Sequence, residues 1–190
     1  MRKQLFTTVI AGAIAQVTLA ASLLGAVSDV RAEPEPIAAE PITERHTFTD
    51  HVSVQITQAL DGLPQQTVDI EDASTVVVVK FTIQPGAVFP WHTHPGTVLI
   101  SIAEGEFVFV FAEDCVKREY GPGTALVDPG DTVHTAYNPS AEQETVVIAT
   151  LLGAPEEGAL TIPVGEEESV ALDEQCGIDR TQIAAGHSGH

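Results

Sequence analysis

Between residues 47 and 152 the chain is cut into short runs of β-branched and aromatic residues by turn signals that recur about every ten residues, and no other feature limits the fold as much. The runs cover 47–56, 67–70, 75–83, 98–102, 107–111, 125–127 and 145–152. Between them stand Asp61-Gly62, Pro85-Gly86, Pro95-Gly96, Glu104-Gly105, Gly121-Pro122-Gly123, Pro129-Gly130 and Asn138-Pro139. These are the residues whose backbone preferences make tight turns. Beyond residue 32 no segment carries a convincing helical period, so the pattern predicts an all-β sandwich or barrel. Phe107 to Phe111 is apolar at every position. Both faces of that strand therefore need cover, one from the barrel interior and one from another sheet, the chain's own tail or a second subunit in a homodimer.

The flanks read differently. Arg2 and Lys3 precede a long uncharged apolar stretch from Leu5 to Val27, and Val30-Arg31-Ala32 offers small or β-branched residues for cleavage before Glu33. Residues 1–32 are thus expected to be an export signal, which places the mature chain in the periplasm or outside the cell, free of the membrane after cleavage, with an uncleaved membrane anchor the alternative reading of so long an apolar run. Residues 33–45 hold three prolines and no apolar period, which predicts a flexible linker. The barrel is expected over 46–164 as one domain, followed by a loosely packed acidic tail over 165–190 that begins with Glu166-Glu167-Glu168. The whole chain has 8 basic and 27 acidic residues and a net charge of −19. Without Arg2, Lys3, Arg31 and Asp29 the charge is about −21, so nucleic acid and anionic lipid are repelled. Cys115 and Cys176 are the two cysteines, and in an oxidising compartment they are expected to pair, with burial of Cys115 as a free apolar residue the alternative.

Chemistry concentrates around His92-Thr93-His94. Residues i and i+2 of a strand share a face, about 7 Å apart along the chain, so two imidazoles so placed can converge on one ion. Phe89, Trp91 and Tyr137 lie beside the histidines in sequence and are candidates, with Val98, for a pocket wall around a small-molecule ligand. Glu104 and Glu106 flank a turn and are expected in solvent, as are His46 and His51. Asp128 and Asp131 flank Pro129-Gly130 and are accounted for by that turn. There is no nucleophile elbow, phosphate-binding loop, dinucleotide fingerprint or C-x-x-C pair, and no catalytic residue is assigned.

Gly86, His92, His94 and Gly105 fall on a G-x5-H-x-H-x3-E-x6-G pattern, and Gly123, Pro129, His134 and Asn138 fall on G-x5-P-x-G-x2-H-x3-N. This pair of motifs resembles the cupin superfamily. The resemblance implies a double-stranded β-helix, or jelly-roll, with His92, His94 and His134 as metal ligands at one end of the barrel. Two positions depart from the pattern. Val98 stands where the family has its ligand glutamate, and Asp131 stands where the second motif has glycine, with Gly130 one place early. Three neutral histidines with an open position suit one divalent transition metal, whether zinc, iron, manganese, nickel or copper. Two functional classes follow: a metalloenzyme such as a metal-dependent dioxygenase, or a non-catalytic module that binds a metal or small ligand. The fold hosts both.

Overall fold

The computed structural model describes residues 35–73 and 75–181. The expected export signal, and His187 and His190 of the tail, lie outside these residues. The elements are β1 (Ile37–Thr47), β2 (Val54–Gln58), β3 (Gln66–Ile70), β4 (Thr75–Ile83), β5 (His92–Thr93), β6 (Thr97–Glu104), β7 (Phe107–Phe111), β8 (Arg118–Tyr120), β9 (Ala125–Asp128), β10 (His134–Tyr137), β11 (Thr145–Leu152), β12 (Ile162–Pro163) and α1 (Glu166–Cys176). Two five-stranded antiparallel sheets, ordered β1-β4-β11-β6-β9 and β12-β5-β10-β7-β8, form the jelly-roll, and β2 and β3 make a separate hairpin.

Period-2 alternation builds the core. Val77 and Val79 of β4, Val98 and Ile100 of β6, and Val147, Ala149 and Leu151 of β11 point inward from the first sheet. Phe107, Phe109 and Phe111 of β7 and Ala136 of β10 meet them from the second. Every residue of β7 is buried, as its sequence requires. Val108 and Val110, on its outer face, pack with Trp91, Tyr137, Cys176 and Ile178. The chain's own C-terminal segment thus covers this face, and the strand needs no second subunit for that purpose.

That cover corrects the expectation of a loose tail. Residues 166–176 form α1, with three glutamates in its first turn, where the helix dipole favours negative charge. Gly177 closes the helix at φ 59°, and its backbone N–H donates to Asp173, a left-handed cap that suits glycine. Helical periodicity missed α1 because Val170 faces solvent and Cys176 is its one buried residue. The helix is held by specific contacts instead: the Cys115–Cys176 disulfide, Trp91 Nε1 donating to Asp173 Oδ1 at 2.7 Å, and Lys117 Nζ donating to the Gly177 carbonyl at 2.9 Å.

The linker expected over 33–45 is also corrected. From Ile37 onward it is β1, paired antiparallel with β4 from Ile37↔Ile83 to Thr47↔Thr75. β1 is an edge strand, which is where a strand can carry a proline. The register slips between Pro41 and Thr43, and Thr43 Oγ1 accepts the Val78 N–H at 3.1 Å, so the bulge leaves no ladder donor of β4 unpaired there.

Candidate metal centre

His92 and His134 are direct cross-strand partners between β5 and β10. His134 therefore reaches His92 from the neighbouring strand of the same sheet, rather than from across the barrel as the motifs alone suggest. His94 lies just past β5, fixed by its backbone N–H donating to the Gly130 carbonyl at 2.7 Å. Gly130 sits at φ 101°, and a Cβ there would lie 2.3 Å from the Gly96 carbonyl oxygen. The turn can approach the His94 loop this closely only with glycine.

The three imidazoles converge. His92 Nε2 is 3.2 Å from His94 Nε2 and 3.1 Å from His134 Nε2. Each Nδ1 faces a backbone carbonyl: Pro90 at 2.6 Å from His92, Leu160 at 2.6 Å from His94 and Thr132 at 2.9 Å from His134. A carbonyl can only accept, so each Nδ1 carries the hydrogen and each Nε2 of a neutral ring presents a lone pair to the centre. Three lone pairs that face one another inside a barrel repel unless a cation stands between them. Imidazoles oriented by their second nitrogen are what metal ligation uses, and ligands at about 2.0–2.1 Å in a tetrahedral set lie about 3.3 Å apart. The residues present fit a transition metal.

Burial keeps the rings ready. It pushes His92 down to about 4, with the Pro90 hydrogen bond opposing and the His94 charge adding to the shift. It pushes His134 down to about 3, helped by repulsion from His92, and lowers His94 as well. The folded site refuses protons that the unfolded chain accepts near 6.5. The metal-free histidines thus cost no stability above that pH and progressively more as pH falls towards 4. In the metal-free protein the ring resonances of His92 and His134 should hold their neutral positions from about pH 8 to about pH 5, and a titration midpoint near the ordinary value would contradict their burial.

One member of the cluster was missed in the sequence. Asp128 is fully buried at the end of β9, with Oδ2 3.2 Å from His134 Nε2 and 3.5 Å from His94 Nε2. Burial pushes its carboxyl up to about 7, against the Gly130 hydrogen bond. The contact with His134 is therefore not an ion pair, because the same burial holds that imidazole neutral.

Phe89 and Val98 line the cavity above the histidines, a space of about 600 Å³ counting its mouth, walled also by Phe81, Phe107, Phe109 and Leu151. Trp91 and Tyr137, expected in the same wall, face the opposite side of the sheet, in the cluster under α1. Their positions alternate with those of His92 and Ala136, which point inward. Among the motif residues, Asn138 is structural: its Nδ2 donates to the Ile83 and Gln143 carbonyls at 3.1 and 2.7 Å. His46, Glu104 and Glu106 are exposed.

Residues 79–151 match the family model described as a cupin domain. The chain carries a cupin domain. Solved structures similar to it include the polyketide cyclase RemF from Streptomyces resistomycificus, 19% identical over 57% of this chain and 72% of that one, with a TM-score of 0.43. A cupin-like protein from Thermotoga maritima is 22% identical over 51% and 72%, with a TM-score of 0.41. KdgF from Halomonas sp. is 26% identical over 43% and 71%, with a TM-score of 0.37. No curated protein sequence matches this chain.

Proposed function

We propose that this protein is an exported cupin that holds one divalent transition metal on His92, His94 and His134, and that it takes up a small molecule with a metal-binding oxygen and an apolar body. The observation that carries this reading is the convergence of three Nε2 lone pairs, each fixed by its Nδ1 hydrogen bond, at the floor of an apolar cavity. Export is supported by the signal-like N-terminus and by the Cys115–Cys176 disulfide, which suits an oxidising compartment. Among the described residues of the cavity wall the histidines are the only titratable groups. Reaction chemistry would therefore be supplied by the bound metal, as Lewis acid or oxygen activator, while the aromatic and aliphatic wall orients the substrate and excludes water. Such a centre suits an oxygenase-type enzyme. The same lack of a separate acid or base favours, as the second reading, a module that binds without turnover.

Two hydroxamates test the metal and the pocket together, because they share a chelating head and differ in the apolar body. With metal-loaded protein, benzohydroxamate should bind about 10- to 100-fold more tightly than acetohydroxamate, the ring burial being worth about 2 kcal/mol. Metal-free protein should bind neither by calorimetry. Equal affinity for the two hydroxamates would remove the apolar pocket from the reading. Dioxygen uptake by the iron-loaded protein with small phenols would establish the enzyme, and its absence across the panel would leave the binding module.

A further inference from the structure

We propose that Asp128 is a fourth metal ligand, replacing from β9 the carboxylate that Val98 cannot supply from β6. This rests on the reading that the three histidines hold a metal. Val98 and Asp128 are paired in register across β6 and β9, so the side chain lost at one position returns at the adjacent position of the partner strand. Cross-strand partners lie about 5 Å apart at Cβ, within the reach of one carboxylate.

The carboxylate is aimed by its own turn. Oδ1 accepts the Gly130 N–H at 2.8 Å, which fixes the side chain and directs Oδ2 into the cluster. Oδ2 is buried and has no hydrogen-bond partner among the described residues, an arrangement that costs several kcal/mol for a charged oxygen unless a cation or proton compensates it. Its nearest neighbours, the Nε2 atoms of His134 and His94, carry no hydrogen to give it. Oδ2 stands 3.2 Å from His134 Nε2 and 3.5 Å from His94 Nε2, beside the His92–His94 and His92–His134 separations of 3.2 and 3.1 Å. These lengths match the spacing of about 3.3 Å between donors on one metal. Charge points the same way: three neutral imidazoles leave a divalent ion's full charge in an apolar barrel, and among the described residues no carboxylate lines the cavity itself. One carboxylate halves that charge.

The test uses cobalt(II) with the full mature chain, titrated against a competing chelator so that weak binding to the acidic surface does not register. Asp128→Asn keeps the shape and the Gly130 acceptor but offers a neutral oxygen. It should bind cobalt at least as weakly as a protein that has lost an outer-sphere partner, about 10- to 100-fold below wild type, with a shifted ligand-field absorption spectrum. If the variant keeps both the wild-type affinity and spectrum, or loses affinity with an unchanged spectrum, Asp128 is not a ligand while the histidine site stands. No cobalt uptake by wild type would instead remove the metal reading itself, and this proposal with it. Should Asp128→Asn fail to fold, wild-type protein labelled with carbon-13 at the aspartate carboxyls decides: its infrared difference spectrum on adding metal should contain label-shifted carboxylate bands, and their absence overturns the proposal.

Discussion

Reduction of the Cys115–Cys176 bridge should lower the free energy of unfolding by about 4 kcal/mol, the chain-entropy value for a closed loop of this length. The cysteines are 61 residues apart in sequence, and the bridge ties α1 to the segment following β7. Noncovalent contacts hold the same region. Arg180 donates to Asp173 at 2.6 and 2.9 Å and to the Phe89 carbonyl at 3.0 Å, and Trp91 donates to Asp173. These contacts should keep α1 docked at low denaturant after reduction, so the loss should show as an earlier denaturation midpoint rather than as a missing helix. Because Trp91 is wholly buried under this cover and is the single tryptophan, its fluorescence reports the transition. A midpoint shift worth less than about 1 kcal/mol would mean that the bridge constrains little of the unfolded chain.

Phe109→Ala should cost about 3 kcal/mol, the lower end of the range for removing a buried aromatic ring. Phe109 is 1% exposed and packs edge-on against Phe111 with centroids 4.9 Å apart, but it also borders the cavity. One side of the ring already faces open space, so fewer contacts are lost than in a closed core. The ring stacks on His134, with centroids 4.8 Å apart and planes at 20°. Its loss should therefore weaken metal binding as well as stability. Val108→Ala, on the outer face of the same strand, should lower stability without weakening metal binding. Paired denaturation and chelator-competition titrations of the two variants check this, and equal metal affinities would show that the stack does not support the ligand.

The barrel was legible because turn dipeptides and β-branched runs are local signals, and the histidines because their spacing follows strand geometry. What escaped depended on register and on the edges of the fold. The prolines of the N-terminal segment concealed β1, since a proline excludes a central strand but not an edge strand with a bulge at Pro41. For α1, a stripe of apolar residues was the wrong signal. Its end signals were present, in Glu166-Glu167-Glu168 and in Gly177 after Cys176. Asp128 looked like a turn residue beside Pro129-Gly130, and it is one, through Oδ1. Alternation along β9 carried the further information: Leu126 and Asp128 are buried while Ala125 is exposed and Val127 half-buried, so a carboxylate sits on the inward face. That Asp128 lies opposite Val98 needed the pairing of β6 with β9, which no local pattern encodes. Similarly, parity with His92 turns Trp91 away from the cavity although the two are sequence neighbours.

Metal content per chain, measured side by side on wild type, His134→Ala and His46→Ala after reconstitution and gel filtration, tests the three-histidine centre most directly. His134 is 1% exposed at the point of convergence, whereas His46 is an exposed residue of the edge strand β1. The account predicts about one metal per chain for wild type and His46→Ala and a small fraction of that for His134→Ala, whose chain should remain folded. A wild type that takes up no metal, or a His46→Ala chain that loses it as readily as His134→Ala, would contradict the account.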